Sequence, residues 1–273
     1  LNELFRRTDD FPSSELTSRI KRNENTLGGG FDIDLYRRWG VGFDFNWGIT
    51  HYLASDFDYL SRNNYTYAGN VYYRLTAKTR VFGEYNFVRE IYQFDKSRDN
   101  NRHRGLLGVR GDLTEKLSLT AKGGYERLTF HSDASANQDQ DTFVVSLEGN
   151  YKPMDRLQIA LILSRSVQAS TFGTNAQYES FYSILGITYA FTSKIMIIPR
   201  FSFGVDNYRQ SALNIDRQEK RLDYLLGAGI TLRYEPLKYI RLDGSYDYQG
   251  RNSNFNTSDY DDNRVSFTIT LSM

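Results

Sequence analysis

Three histidines, His51, His103 and His131, are the first candidates for acid–base chemistry, and His131 runs directly into Ser132 and Asp133. A nucleophile and its base need hydrogen-bond reach. Adjacent side chains of an extended segment point to opposite faces, so His131 and Ser132 cannot share a site without a bulge. The "HSD" run reads instead as the opening of a polar loop, where Asp is common. No two histidines stand at metal-ligand spacing. The "GGG" at 28–30 has no helix behind it for a phosphate to cap, and is read as room for curvature or for a close neighbour. Zero cysteines remove disulfides, thiol catalysis and thiolate metal sites together. No catalytic residue, metal or cofactor is expected.

What remains is charge laid out with a period of two. Asp44, Glu84, Glu148 and Asp243 alternate with apolar neighbours, as do Arg74, Arg110, Lys122, Arg200, Arg233 and Arg241. Tyr72 and Tyr182 share their parity. The clearest stretch is 41–50, with Val41, Phe43, Phe45, Trp47 and Ile49 on one face and Gly42, Asp44, Asn46, Gly48 and Thr50 on the other. Ten such residues make a strand as long as a tilted membrane crossing.

The elements that carry this pattern are hairpins. Six short turns, "RRWG" (37–40), "TAKT" (76–79), "TEKL" (114–117), "KPMD" (152–155), "TSKI" (192–195) and "EPLK" (235–238), recur roughly every 39 residues. Reading outward from each turn predicts strands at 27–36 and 40–50, 65–75 and 80–91, 104–113 and 117–130, 142–151 and 156–167, 180–191 and 195–206, 222–234 and 239–249, then 263–273. Longer polar loops join the opposite ends, at 51–64, 92–103, 131–141, 168–179, 207–221 and 250–262. Thirteen strands is odd, and 27–36 must enter from the long-loop side. "LNELFRRT" (1–8) therefore supplies a partner strand, followed by the loop 9–15 and a next strand that begins as early as Leu16. The expectation is one all-β domain over 1–273: a transmembrane antiparallel up-and-down barrel of about 14 strands with short periplasmic turns and longer extracellular loops.

Composition agrees. The chain has 21 Tyr and 18 Phe beside 2 Trp and 4 Pro, a balance suited to a lipid–water boundary. Net charge is +1, which gives no attraction to nucleic acid. Mean hydropathy is −0.57, yet alternation halves the apparent hydrophobicity of a membrane strand. No stretch reaches the length of a transmembrane helix. A propeller would need four short strands per period, and a sandwich shorter strands. A soluble barrel with its apolar face inside is not distinguished by alternation; fourteen closed strands would, however, leave a lumen too wide for side chains to fill. Arg89, Arg127 and Arg165 are charged exceptions on the apolar face, each placed at the outer rim, where anionic lipid or lipopolysaccharide headgroups would lie. Pro199, on the same face, predicts a bulge or a weak ladder.

The polar face would then line a bore. Its charges serve either as a pathway with a basic periplasmic entrance for an acidic solute, or as cross-strand pairs that stiffen the wall. Inward aromatics would give sugar rings a sliding surface or narrow the bore.

The tail 246–273 resembles the end of outer-membrane β-barrel porins found in exopolysaccharide gene clusters, through Tyr246, Tyr248, Arg251, Ser253, Asn254, Tyr260 and Asn263. The opening "LNELFRRTDDFPSSEL" is similar to the Asn-x-x-Arg strand and acidic loop that start that family. The resemblance implies passive export of polysaccharide across the outer membrane of a Gram-negative bacterium, beside a periplasmic export component. Met273 departs from the terminal Phe or Trp that assembly machinery usually meets. The opposed reading is a structural barrel that anchors or encloses another envelope component.

Overall fold

The structure, a computed structural model, describes residues 2–10, 20–131, 139–170, 175–214 and 217–271. Fourteen strands form one antiparallel sheet in strict chain order. They are β1 (Asn2–Asp10), β2 (Ile20–Asp34), β3 (Trp39–Tyr52), β4 (Arg62–Arg74), β5 (Thr79–Tyr92), β6 (Asn100–Thr114) and β7 (Leu117–Phe130). Then follow β8 (Gln140–Met154), β9 (Leu157–Ala169), β10 (Gln177–Ala190), β11 (Ile195–Asn214), β12 (Arg217–Leu237), β13 (Ile240–Ser253) and β14 (Tyr260–Leu271). The strand that parity demanded before β2 is present, and runs from Asn2 opposite Gly28 to Asp10 opposite Ile20. Among the described residues no ladder joins β1 to β14. Leu16, most of the 9–15 loop, Ser132, Asp133 and Met273 lie outside the described residues.

Strands reach further from the short turns than the sequence pattern indicated. β4 starts at Arg62 rather than 65, and β6 at Asn100 rather than 104. The largest correction is the loop expected at 207–221: β11 and β12 continue through it, with a register shift between Asn207 and Ser211, until Asn214 pairs with Arg217. Above the lipid the outward face no longer has to be apolar, so the period-two pattern fades while backbone pairing continues.

The odd-numbered face of β3–β7 and its continuation around the sheet carries the large exposed apolar side chains. Leu107 is 75% exposed, Leu226 58% and Phe201 52%, values that only a lipid-facing surface makes sense of. Aromatics form a girdle near the short turns, where Trp39 meets Tyr73 at 5.0 Å and Tyr189 meets Phe191 at 4.9 Å. A second lies towards the loops, where Trp47 stacks on Tyr65 and Tyr67 on Phe87. Two such belts are what a bilayer-spanning barrel needs at its two interfaces. Pro199 behaves as expected of a residue with no N–H to donate. Register between β10 and β11 is unchanged across it, but the Ile187–Pro199 and Thr188–Ile198 pairs are missing from the ladder.

Candidate functional site: the bore

Which face is concave follows from contacts between strands two apart, because their side chains converge only on the inside of a curved sheet. Tyr72 on β4 donates its hydroxyl to Asp34 on β2 at 2.6 Å, passing over Gly40 of β3. Arg200 on β11 pairs with Asp247 on β13 at 2.5 Å, passing over Gly229 of β12. Lys122 on β7 reaches Glu84 on β5 at 3.3 Å, beside Gly108 of β6. A Cβ at Gly40 would lie 2.1 Å from the Tyr72 ring, and one at Gly229 2.2 Å from the Asp247 carboxylate. At Gly108 it would meet Phe82 at 2.5 Å. The glycines are slots in which a neighbouring side chain lies flat along the wall: the Tyr72 ring at Gly40, the Phe82 ring at Gly108 and the Asp247 carboxylate at Gly229. The "GGG" run works in the same way: Gly28 admits Asn46, and Gly30 admits Asp44.

All twelve lumen-lining candidates share this concave face by register. They ring the bore rather than converge on one point. Arg233 and Asp243 pair at 2.8 Å, Arg241 turns to Glu235 at 3.0 Å, and Arg74 holds Asp34 at 2.5 Å. Tyr182 rests against Gly204, whose Cβ would come within 3.3 Å of its ring. Asp44, Glu148 and Arg110 make no ion pair among the described residues. Pairing along the wall, the second of the two readings of these charges, thus accounts for most of them.

In the half nearer the short turns these charges stay wet: Asp34, Asp32 and Arg200 have more than half of their side-chain surface exposed. The outer half is different. Glu126 is fully buried between Arg104 and Arg102, Glu90 faces Arg62 at 3.6 Å and takes a hydrogen bond from Asn100 at 3.1 Å, and Arg221 grips Asp223 at 2.6 Å. Counting by two along the strands reaches Glu90 from Glu84, Glu126 from Lys122 and Asp223 from Arg233, so these three are legible as polar-face residues. The arginines sit where the apolar neighbours that reveal parity have run out, although counting by two from Arg74 does reach Arg62.

Loops complete that closure. A 3-10 turn at Ser55–Leu60 folds inward, so that Leu60 packs on Tyr52 with Phe57 and Tyr59 around it. The Tyr59 ring lies 5.1 Å from the guanidinium of Arg98, in the next loop's 3-10 turn at Lys96–Arg98. Arg98 in turn donates 2.8 Å to the carbonyl of Ser170, just past β9. Arg102 reaches for Val167 O in the same region at 3.5 Å. These contacts form a strut from β3 to β9 across the outer mouth. Beside it, the β8–β9 ladder stops at Val145 opposite Arg165, and Arg165 turns to Glu179, which also holds Gln140, Thr142 and Arg209. The charged exception at 165 is thereby satisfied.

The histidines do not assemble. His103 lies on the outward face, its Nδ1 2.6 Å from the Tyr85 hydroxyl. His131 contacts Asp99 O at 3.3 Å and Asn101. His51 stands opposite Asn23.

A family model described as putative beta-barrel porin 2 matches residues 54–273. The chain belongs to this family. Among solved structures it is similar to the outer membrane channel DcaP of Acinetobacter baumannii, with a TM-score of 0.55 and 15% identity, covering 93% of this chain and 85% of that one. It is also similar to the copper transporter OprC, with a TM-score of 0.54, 12% identity, and coverage of 94% of this chain and 52% of OprC. The FrpB iron transporter from Neisseria meningitidis gives 0.56 and 9% over 89% of this chain and 45% of its own. The chain thus spans most of DcaP and about half of the two transporters. No curated protein matches the sequence. The protein is a porin-family β-barrel of a bacterial outer membrane.

Proposed function

We propose that this barrel is a passive conduit, in the outer membrane of a Gram-negative bacterium, for an exopolysaccharide or a similar polar solute, and that it performs no catalysis. The observation that carries the reading is the wall itself. Its charges pair along the wall, and rings and carboxylates lie flat over glycines, so that a wet, polar bore is left between them in the membrane-embedded half. The tail residues Tyr246 to Asn263 favour a polysaccharide as cargo, and the basic turns, with Arg37, Lys78 and Lys194 among them, offer a face for a periplasmic export component. Lipopolysaccharide is the outer partner proposed for Arg89 and Arg127.

A second reading is favoured by the strut: a barrel closed at its outer mouth by Leu60, Tyr59 and Arg98 would serve as a structural element with no throughput. Planar-bilayer recording and liposome swelling separate the two. Stable conductance, in the native chain or after the strut is cut, supports the conduit; silence in both preparations supports the structural barrel.

A further inference from the structure

Three arginines stand side by side near the periplasmic mouth. Arg74 lies directly opposite Arg80 across the β4–β5 ladder, and Arg80 directly opposite Arg110 across β5–β6. Like charges facing each other on adjacent strands destabilise a sheet, so such a row needs compensation. Two of its members have it. Asp34 sits 2.5 Å from Arg74 and Asp32 3.6 Å from Arg80, and the Tyr72 hydroxyl lies 2.6 Å from an oxygen of each carboxylate, its one proton shared between them. The Tyr72 ring also underlies both guanidiniums, at 5.8 and 4.7 Å.

Arg110 has no such carboxylate. It is exposed, its guanidinium lies 5.7 Å from the Phe82 ring, and among the described residues it makes no ion pair. Asp112 lies two residues further along β6, and Glu148 lies beyond Thr120 on the second strand over; neither closes on it. Lys122, the next cation up the wall, is committed to Glu84. Phe82 is seated in the Gly108 slot, so the ring beneath Arg110 is fixed in place. Arg37, Arg38, Lys78 and Lys116 on the flanking turns add positive charge around the row.

We propose that Arg110, with Arg80 about 5 Å away across the ladder, binds an oxyanion: the carboxylate or phosphate of an acidic solute that enters from the periplasmic side. A planar guanidinium presents a fork of donors matched to such a group, and its aromatic underlay holds the fork facing the bore. The proposal deepens the conduit reading and rests on it for its physiological meaning, but binding itself does not require conduction.

The test is calorimetric titration of the purified full chain in detergent with inorganic phosphate, a short uronate oligosaccharide and a neutral oligosaccharide of equal length. The expected result is oxyanion binding that weakens at least tenfold in Arg110→Gln, a loss of about 1.4 kcal/mol or more, with the neutral sugar not bound. Uronate binding alone assigns the anion to a saccharide; phosphate binding alone assigns it to a phosphorylated solute. Both outcomes support the site. Absence of oxyanion binding, or an equal loss in Arg241→Gln on the other side of the bore, overturns it. A barrel that binds the anion but never conducts sinks the conduit and leaves the site standing.

Discussion

The two halves of this bore use the same residue types to opposite ends. In the outer half, Glu126, Asp223 and Arg221 are almost wholly removed from water, each in a buried ion pair. In the half nearer the short turns, Arg200 and Asp247 keep substantial exposure and lie along the wall. A charge taken out of water is stable only while its partner is there, whereas an exposed pair gains little from being made. The outer half is therefore a cooperative network of buried charge, and the inner half a tolerant lining.

The largest expected effect tests that contrast directly. Glu126→Ala strands the partly buried Arg102 and Arg104 and should cost about 3–5 kcal/mol, whereas Asp247→Ala should cost about 0–1 kcal/mol. Urea unfolding of the refolded barrel measures both, and equal losses would erase the distinction between the halves. Next in size, the apolar belt should encircle the wet half. Leu161→Arg, on the outward face of β9, should cost about 2–4 kcal/mol and impair membrane assembly. Ser164→Arg, on the inward face, should assemble and change conductance; heat-modifiable mobility on gels reads the outcome, and matched defects would contradict the sidedness. A smaller loss than at Leu161, about 1–3 kcal/mol, is expected for Arg98→Ala, which cuts the strut at Ser170 O. Its conductance should nonetheless exceed that of the native chain. An unchanged current would mean that the obstruction lies elsewhere.

The fold was legible wherever lipid imposed a period of two. From Val41 to Ile269, the alternation separates a polar from an apolar face, and parity alone reveals β1. Legibility ended above the membrane, where nothing forces the outward face to be apolar. That is why Arg62, Arg102 and Arg221 were missed and why the β11–β12 hairpin was read as a loop. The strut was invisible for a related reason: Tyr59 and Arg98 come from different loops, and only the three-dimensional fold brings them together. Pro199 was readable because a missing donor has the same consequence in any sheet.

The slots at Gly40, Gly108 and Gly229 set the calibre of the tube. A methyl group at any of them would lift an overlying ring or charge off the wall and swing it toward the axis, replacing a smooth barrel with an internal collar. The width of the bore is governed less by the large residues lining it than by glycines, these three with Gly28 and Gly30 among them, that contribute no side chain at all.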